Sequence, residues 1–227
     1  MTPPRIACVI PALDAAPTLG AVLEGLRDAL PGAFVAVIDD GSSDGTHTIA
    51  SRLADTAHRF PQNRGKGAAL REGFAIALGR GADVVLTVDA DGQHDPVFAP
   101  ALVDALSSAD VAIGARDRRS REMPLGRRLT NRLSAAAVAH CIGRPVADAQ
   151  SGYRAFRAHV VSDVRPRGNR YEFETELLII AGRRGHRIVY VPVPTRYPHT
   201  VPSQFRSVRD SARIVGTLWR FGVGART

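Results

Sequence analysis

The stretch Val84-Val85-Leu86-Thr87-Val88-Asp89-Ala90-Asp91-Gly92-Gln93-His94-Asp95-Pro96 decides how the rest of the chain is read. Asp83–Val88 is a strand-length apolar run. It breaks into two carboxylates one residue apart, an amide and an imidazole, and then into Pro96, a residue suited to the first turn of a helix reaching Leu106. The same grammar recurs upstream. Arg5–Ile10 is a β-branched run ended by Pro11-Ala12-Leu13-Asp14, and Phe34–Ile38 is followed by Asp39-Asp40-Gly41-Ser42-Ser43-Asp44-Gly45. Between these runs, Thr18–Leu30 carries Leu19, Val22, Leu23, Leu26 and Leu30 at helical spacing and stops at Pro31-Gly32. Thr46–Asp55, with Asp44 as its cap, and Gly67–Leu78 read as further helices, and Val111–Gly114 as a further strand. Apolar strands alternating with helices predict an α/β fold with a mostly parallel central sheet flanked by helices. Ligands of such sheets bind beyond the carboxyl ends of the strands, where the clusters after Ile38 and Val88 lie.

The second half of the chain is organised differently. Arg116–Arg132 carries seven Arg against Asp117 and Glu122. Leu125–Ile142 reads as a helix with Leu125, Leu129, Leu133, Ala136 and Ala137 on its apolar face, and Asp148–Phe156 as a polar loop. Glu172–Arg184 is a helix that buries Leu177, Leu178 and Ile180 and leaves Glu174 and Glu176 on a solvated face. Ile188–Val193 is a strand. Ser207–Phe221 is a terminal amphipathic helix whose Leu218, Trp219 and Phe221 are read as packed on the core, with a membrane-facing edge of these residues and Arg220 as the alternative. The length of 227 residues, without a linker rich in Gly, Pro or Ser, fits one domain over 1–227.

Composition narrows the classes. No apolar run approaches the 18 or so residues of a membrane span. Met1-Thr2-Pro3-Pro4-Arg5 is not a signal peptide, and Cys8 and Cys141 have no metal-ligand spacing, so a cytoplasmic location is expected. The net charge of +8 is uneven: residues 1–150 hold 16 Arg/Lys against 17 Asp/Glu, and residues 151–227 hold 14 against 5. The basic half suits an anionic partner, including the inner face of an anionic membrane. Nucleic acid is not expected, because aromatics are 6% of the chain and none interleave with the Arg cluster.

Several residue groups bear on chemistry. Asp89 and Asp91, with the Gln93 amide and His94, are oxygen and nitrogen donors suited to Mg²⁺ or Mn²⁺, ions that bind diphosphates. Asp39-Asp40-Gly41-Ser42 either accepts hydrogen bonds from a nucleoside or forms a tight turn. Asn63-Arg64-Gly65-Lys66-Gly67 contains the sole lysine and opens a helix, where backbone N–H groups favour phosphate. It lacks the spacing of a P-loop and of a dinucleotide-binding turn, which removes those ATPases and oxidoreductases. His47, His58, His140, His159, His186 and His199 have no spacing that recommends a metal or catalytic role and are read as surface or packed residues.

Taken in order, Val9–Asp14, Val37–Thr46, Asn63–Gly67 and Asp89–His94 resemble the family-2 inverting glycosyltransferases of GT-A fold. Within them, Asp148-Ala149-Gln150-Ser151-Gly152-Tyr153-Arg154, Glu172–Glu176 and Val191-Pro192-Val193 are similar to the polyprenyl-phosphate mannosyl- and glucosyltransferase branch. The resemblance implies transfer of a hexose from a nucleotide diphosphate sugar, of the GDP-mannose or UDP-glucose type, to a polyprenyl phosphate or other lipid-linked acceptor. It implies a donor half over 1–115 and an acceptor half over 116–227. Pro11, Ala12, Asp14, Asp39, Asp40, Lys66, Asp89 and Ala90 would bind the nucleotide sugar, and Asp91 and Gln93 the divalent cation. Asp148 and Arg116 would stand at the reacting centre, with Arg128, Arg154, Ser203 and Arg206 on the acceptor side or a mobile loop. A lipid phosphate is already ionised and needs no strong base, whereas a hydroxyl acceptor would need one, with Asp148 the candidate and Glu174 and Glu176 its rivals unless they only form a solvated face. The rival reading is a catalytically silent GT-A domain that binds nucleotide sugars or membranes as a partner subunit. Intact Asp89, Asp91, Gln93 and Asp148 argue against it.

Overall fold

The computed structural model describes the backbone of residues 3–116, 125–194 and 207–223, and side chains within them except those of 125–129, 207–212 and 223. Strands β1 (Ile6–Ala12), β2 (Phe34–Asp39), β3 (Thr56–Arg59), β4 (Val84–Thr87), β5 (Val111–Arg116), β6 (Arg154–Arg157) and β7 (Ile188–Val193) form one sheet in the order β3-β2-β1-β4-β6-β5-β7. All run parallel except β6, which enters antiparallel to both β4 and β5. The helices are α1 (Ala16–Ala29), α2 (Thr46–Leu53), α3 (Lys66–Gly79), α4 (Ala99–Ala105), α5 (Leu125–Ile142), α6 (Ala158–Asp163), α7 (Glu172–Arg183) and α8 (Ser207–Val223). The first two crossovers run outward from β1 through β2 to β3, and the next returns to the other side of β1 to lay down β4. The direction of winding therefore switches between β1 and β4. That switch opens a crevice at their carboxyl ends.

Strand alternation sorts the core into two layers. Cys8, Ile10, Val35, Val37, Val84 and Leu86 meet Leu19, Val22, Leu23 and Leu26 of α1 and Leu102 of α4. Ala7, Val9, Val85, Val111 and Ile113 face Leu70 and Phe74 of α3, Val138 of α5 and Leu177 and Leu178 of α7. Each fully buried aliphatic side chain contributes about 1.5–3 kcal/mol. At the tightest approach α3 lies against β1 through Gly73, where an added Cβ would sit 2.2 Å from Val9 Cγ1.

Several expectations are corrected. β1 runs through Pro11 instead of ending there. Val9 O accepts from Val88 N, so residues of that parity face β4. The β4 register stops at Val9–Thr87, which leaves Pro11 where no ladder partner needs its missing N–H. The helix expected from Pro96 begins with a 3-10 turn, Pro96–Phe98, capped by Asp95, before α4 proper. The expected loop Asp148–Phe156 contains β6, a strand bounded by Arg154 and Arg157. On α5 the buried face is Asn131, Ser134, Ala135 and Val138, while Leu133 is 62% exposed. Small side chains suit that face because α5 and α7 touch closely: an added Cβ at Gly182 would be 3.0 Å from Ile142 Cγ2. On α8, Leu218 and Phe221 pack on the core, but Trp219 is 71% exposed.

Substituting Gly73→Ala forces a methyl group onto Val9, which lies in a central strand and cannot yield. The expected loss is about 1–3 kcal/mol, read as a lower urea midpoint with an unchanged slope.

Candidate functional site

Four strand ends converge at the crevice: Pro11-Ala12 of β1, Asp39 at the end of β2 with Asp40 following it, Asp89-Ala90-Asp91 after β4, and Arg116 at the end of β5. Lys66, at the start of α3, reaches across it. Its Nζ lies 2.6 Å from Asp89 Oδ1 and 2.9 Å from Glu174 Oε2 on α7. Burial alone would lower its pKa, but the two carboxylates hold the ammonium well above the usual lysine range. In turn Lys66 holds the Asp89 carboxyl below its ordinary range, against the opposing effect of burial. Asp89 is also fixed from behind by Gly152, where an added Cβ would stand 2.4 Å from Asp89 Oδ2. Glu174 and Glu176, read as a solvated face, are both buried. Glu176 accepts from the backbone N–H groups of Arg167 and Gly168 and pairs with Arg220.

Among the described residues no cation forms an ion pair with Asp91. Gln93 donates to it from its backbone N at 3.0 Å and from Nε2 at 2.7 Å. Burial, and then the neighbouring Asp89, push its carboxyl up to about 6. Burial brings His94 down to about 4, so its ring is neutral at pH 7. The ring stacks on Tyr153 at 5.4 Å, and its buried Nδ1 has no hydrogen-bond partner. Across the crevice, Arg116 clamps Asp148 with Nε at 2.7 Å and an Nη at 2.9 Å, while Gln150 N and Ser151 N donate to the same carboxylate. Burial would raise the Asp148 carboxyl, but these donors hold it below the ordinary range.

Among the described residues the cluster sets three cations, Lys66, Arg116 and Arg154, against the four carboxylates of Asp89, Asp91, Asp148 and Glu174. The excess negative charge and the weakly partnered Asp91 fit a divalent cation. Turning the Gln93 amide over would present its oxygen as a second hard donor.

The remaining expected residues fall in different places. Asp39 is fully buried: Oδ1 accepts from Ser42 N, and Oδ2 lies 3.3 Å from Arg59 Nε without a hydrogen bond. Asp40 spends both oxygens on Arg64 N at 2.6 Å and Gly65 N at 2.8 Å. Two of the N–H groups in the turn before α3, those of Arg64 and Gly65, are thus taken by a carboxylate of the chain itself. Gly65 has φ 100° and lies against Asn169, so the glycine there answers to backbone geometry. Asp14 adopts φ 46°, a region Asp tolerates, and accepts from Ser43 N. Ala90 is buried, and its carbonyl accepts from Thr18 Oγ1 at 2.6 Å. Arg154, expected on the acceptor side, is 1% exposed and directs its guanidinium to the carbonyls of Ala149, Ser151 and Glu174. It braces the loop beneath the site. Ser203, Arg206 and the Arg128 side chain lie outside the described residues.

His159 and His186, read as surface or packed residues, are brought together with Asp110 at the other end of the sheet. Spacing could not reveal this, since the three are far apart in the chain.

Because the folded value for Asp91 lies above its unfolded one, its stabilising contribution is present below about pH 4 and is lost as pH rises through about 6. With chelator present, Asp91→Asn is therefore expected to be more stable than wild type by about 1–3 kcal/mol at pH 7.5. The difference should vanish near pH 4; thermal unfolding at the two pH values checks it.

Comparison with known proteins accounts for this arrangement. The family described as "Glycosyl transferase family 2" matches residues 7–165. The undecaprenyl-phosphate mannosyltransferase of Micrococcus luteus is 32% identical over 98% of this chain and 96% of its own length. The polyprenol monophosphomannose synthase of Mycolicibacterium smegmatis is 32% identical over 83% and 76% respectively. Among solved structures, glucosyl-3-phosphoglycerate synthase from Mycobacterium tuberculosis, in a complex containing Mn²⁺ and UDP, superposes with a TM-score of 0.76 at 23% identity. That match covers 97% of this chain and 80% of the other, and it establishes the GT-A fold. With an α/β fold that switches direction between β1 and β4, and carboxylates gathered at that switch, the chain belongs to glycosyl transferase family 2 and is a glycosyltransferase.

Proposed function

We propose that the chain transfers a hexose from a nucleotide diphosphate sugar, of the GDP-mannose or UDP-glucose type, to a polyprenyl phosphate, with inversion at the anomeric carbon. The observation that carries the acceptor class is the state of Asp148. A carboxylate held by the Arg116 guanidinium and by the backbone N–H groups of Arg116, Gln150 and Ser151, with its pKa depressed, is a poor proton acceptor. A hydroxyl nucleophile needs such an acceptor; a phosphate monoester, already ionised, does not. The relatives named for undecaprenyl phosphate and polyprenol support the same reading.

In this reading, residues 1–115 serve the donor and 116–227 the acceptor, although β6 of the later half lies within the common sheet. Pro11, Ala12 and Asp14 border the nucleoside. Asp39 Oδ2, beside the Arg59 guanidinium but without a hydrogen bond, would accept from a base or ribose donor, and Asp40 acts by holding the Arg64–Gly65 turn. Asp89, fixed by Lys66 and Gly152, fronts the ribose and diphosphate, while Asp91 and Gln93 would hold Mg²⁺ or Mn²⁺. A cation there would supply positive charge to the departing diphosphate. A phosphate oxygen of the acceptor forms the new bond to the anomeric carbon. The bond from that carbon to the diphosphate breaks on the opposite face, and the nucleoside diphosphate leaves with the electron pair. Arg116, locked by Asp148, keeps its charge fixed beside the crevice and needs no rearrangement as the leaving group develops.

The acceptor's lipid tail implies a bilayer surface. Among the described residues no helix is long and apolar enough to cross a membrane. Peripheral contact is supported by α8, with Val215 62% and Trp219 71% exposed one helical turn apart, and by the positive charge of residues 151–227.

The test supplies undecaprenyl phosphate in detergent with labelled GDP-mannose or UDP-glucose and Mg²⁺ or Mn²⁺. One donor should give a hexosyl lipid phosphate of inverted configuration, and Asp91→Ala should reduce the rate about 10²-fold or more. Transfer confined to hydroxyl acceptors, or full turnover by Asp91→Ala, would contradict the reading.

A further inference from the structure

Asp110, His159 and His186 come from three separate segments: the turn into β5, the start of α6 and the turn into β7. One donor atom from each lies within 4.8 Å of the others. His159 Nε2 is 3.5 Å from Asp110 Oδ1, and His186 Nδ1 is 3.9 Å from Asp110 Oδ2. Nothing in the reaction uses them. They sit at the amino-terminal ends of β5 and β7, whereas Arg116 stands at the carboxyl end of β5, roughly 17–20 Å away by the rise of a six-residue strand.

We propose that these three residues form a second cation site, selective for a borderline transition metal of the Zn²⁺ class. Three features favour it. Two imidazoles and one carboxylate are donors that such a metal prefers, while the oxygen-rich set at Asp91 and Gln93 suits Mg²⁺ or Mn²⁺. His186 is oriented on both sides: Nδ1 faces Asp110, while the buried Nε2, without a hydrogen bond, points at Asp163 Oδ2, 3.6 Å away. A carboxylate behind the second nitrogen is the arrangement that fixes the tautomer of a metal-binding imidazole. Asp110 is likewise fixed, its Oδ2 accepting from Arg187 N at 2.8 Å. Asp163 pairs with Arg184 and faces only His186, whereas Asp110 faces both imidazoles. The His159 side chain is 57% exposed, so the site is open to solvent on one side, which gives an ion entry and leaves room for a water in the fourth position. A cation there would staple α6 to the two strand turns, and the site stands independently of the transfer reaction.

The test is a Zn²⁺ titration of the chelator-treated protein, with Co²⁺ as a spectroscopic probe of nitrogen ligation. Wild type and Asp91→Ala are both expected to bind one Zn²⁺, to raise their unfolding midpoint with it, and to give visible Co²⁺ bands of low-coordinate nitrogen ligation. His159→Gln, at an exposed position where the circular dichroism should stay unchanged, and His186→Ala should each weaken Zn²⁺ binding about tenfold or more. Mg²⁺ should not compete. No Zn²⁺ uptake by wild type, uptake unchanged in His159→Gln, or uptake lost only in Asp91→Ala would overturn the proposal.

Discussion

The site rests on one ammonium group. Lys66, the sole lysine of the chain, is held between Asp89 at the end of β4 and Glu174 on α7, and it ties the start of α3 to both. The three side chains come from distant segments and are mostly withdrawn from water. Losing one member of such a set leaves an uncompensated charge, at a cost of about 3–5 kcal/mol. Lys66 therefore has two consequences. It fixes Asp89 as an ionised carboxylate in one position. By being engaged with Asp89 and Glu174, it also leaves Asp91, among the described residues, without an ion pair of its own.

That imbalance gives the site its chemical character. Arg116 is engaged with Asp148 as Lys66 is with its own pair, and Asp91 is left with amide donors and a raised pKa. A protein folded for stability alone would have no reason to bury such a group; strain of this kind is characteristic of functional positions. The surrounding backbone keeps it in place. Gly152 closes on Asp89, Thr18 holds the Ala90 carbonyl, and Arg154 anchors the loop that carries Asp148. The remote Asp110–His159–His186 group has softer donors and a different location, so the two ends of the sheet suit different ions.

Much of this was legible before any coordinates. The strand ends that form the crevice were readable because β1, β2 and β4 are apolar runs that stop at carboxylates. What escaped the sequence depended on tertiary context. β3 (Thr56–Arg59) and β6 (Arg154–Arg157) are four-residue strands with polar or charged ends, and no local periodicity marks them. Arg154 looks like a surface cation until three carbonyls enclose it. Glu174 and Glu176 look solvated until Lys66 and Arg220 arrive from elsewhere in the chain. The turn before α3 offers locally available N–H groups, and only the fold brings Asp40 to occupy those of Arg64 and Gly65.

The most direct test of the central claim, that Asp91 is the charge-deficient centre around which donor and cation assemble, is anomalous diffraction from crystals grown with Mn²⁺ and a nucleoside diphosphate. The account predicts a manganese peak about 2.1 Å from an Asp91 oxygen, with the diphosphate beside it and the base near Asp39. A diphosphate bound elsewhere, or manganese only at Asp110 and the histidines with Asp91 unliganded, would contradict it.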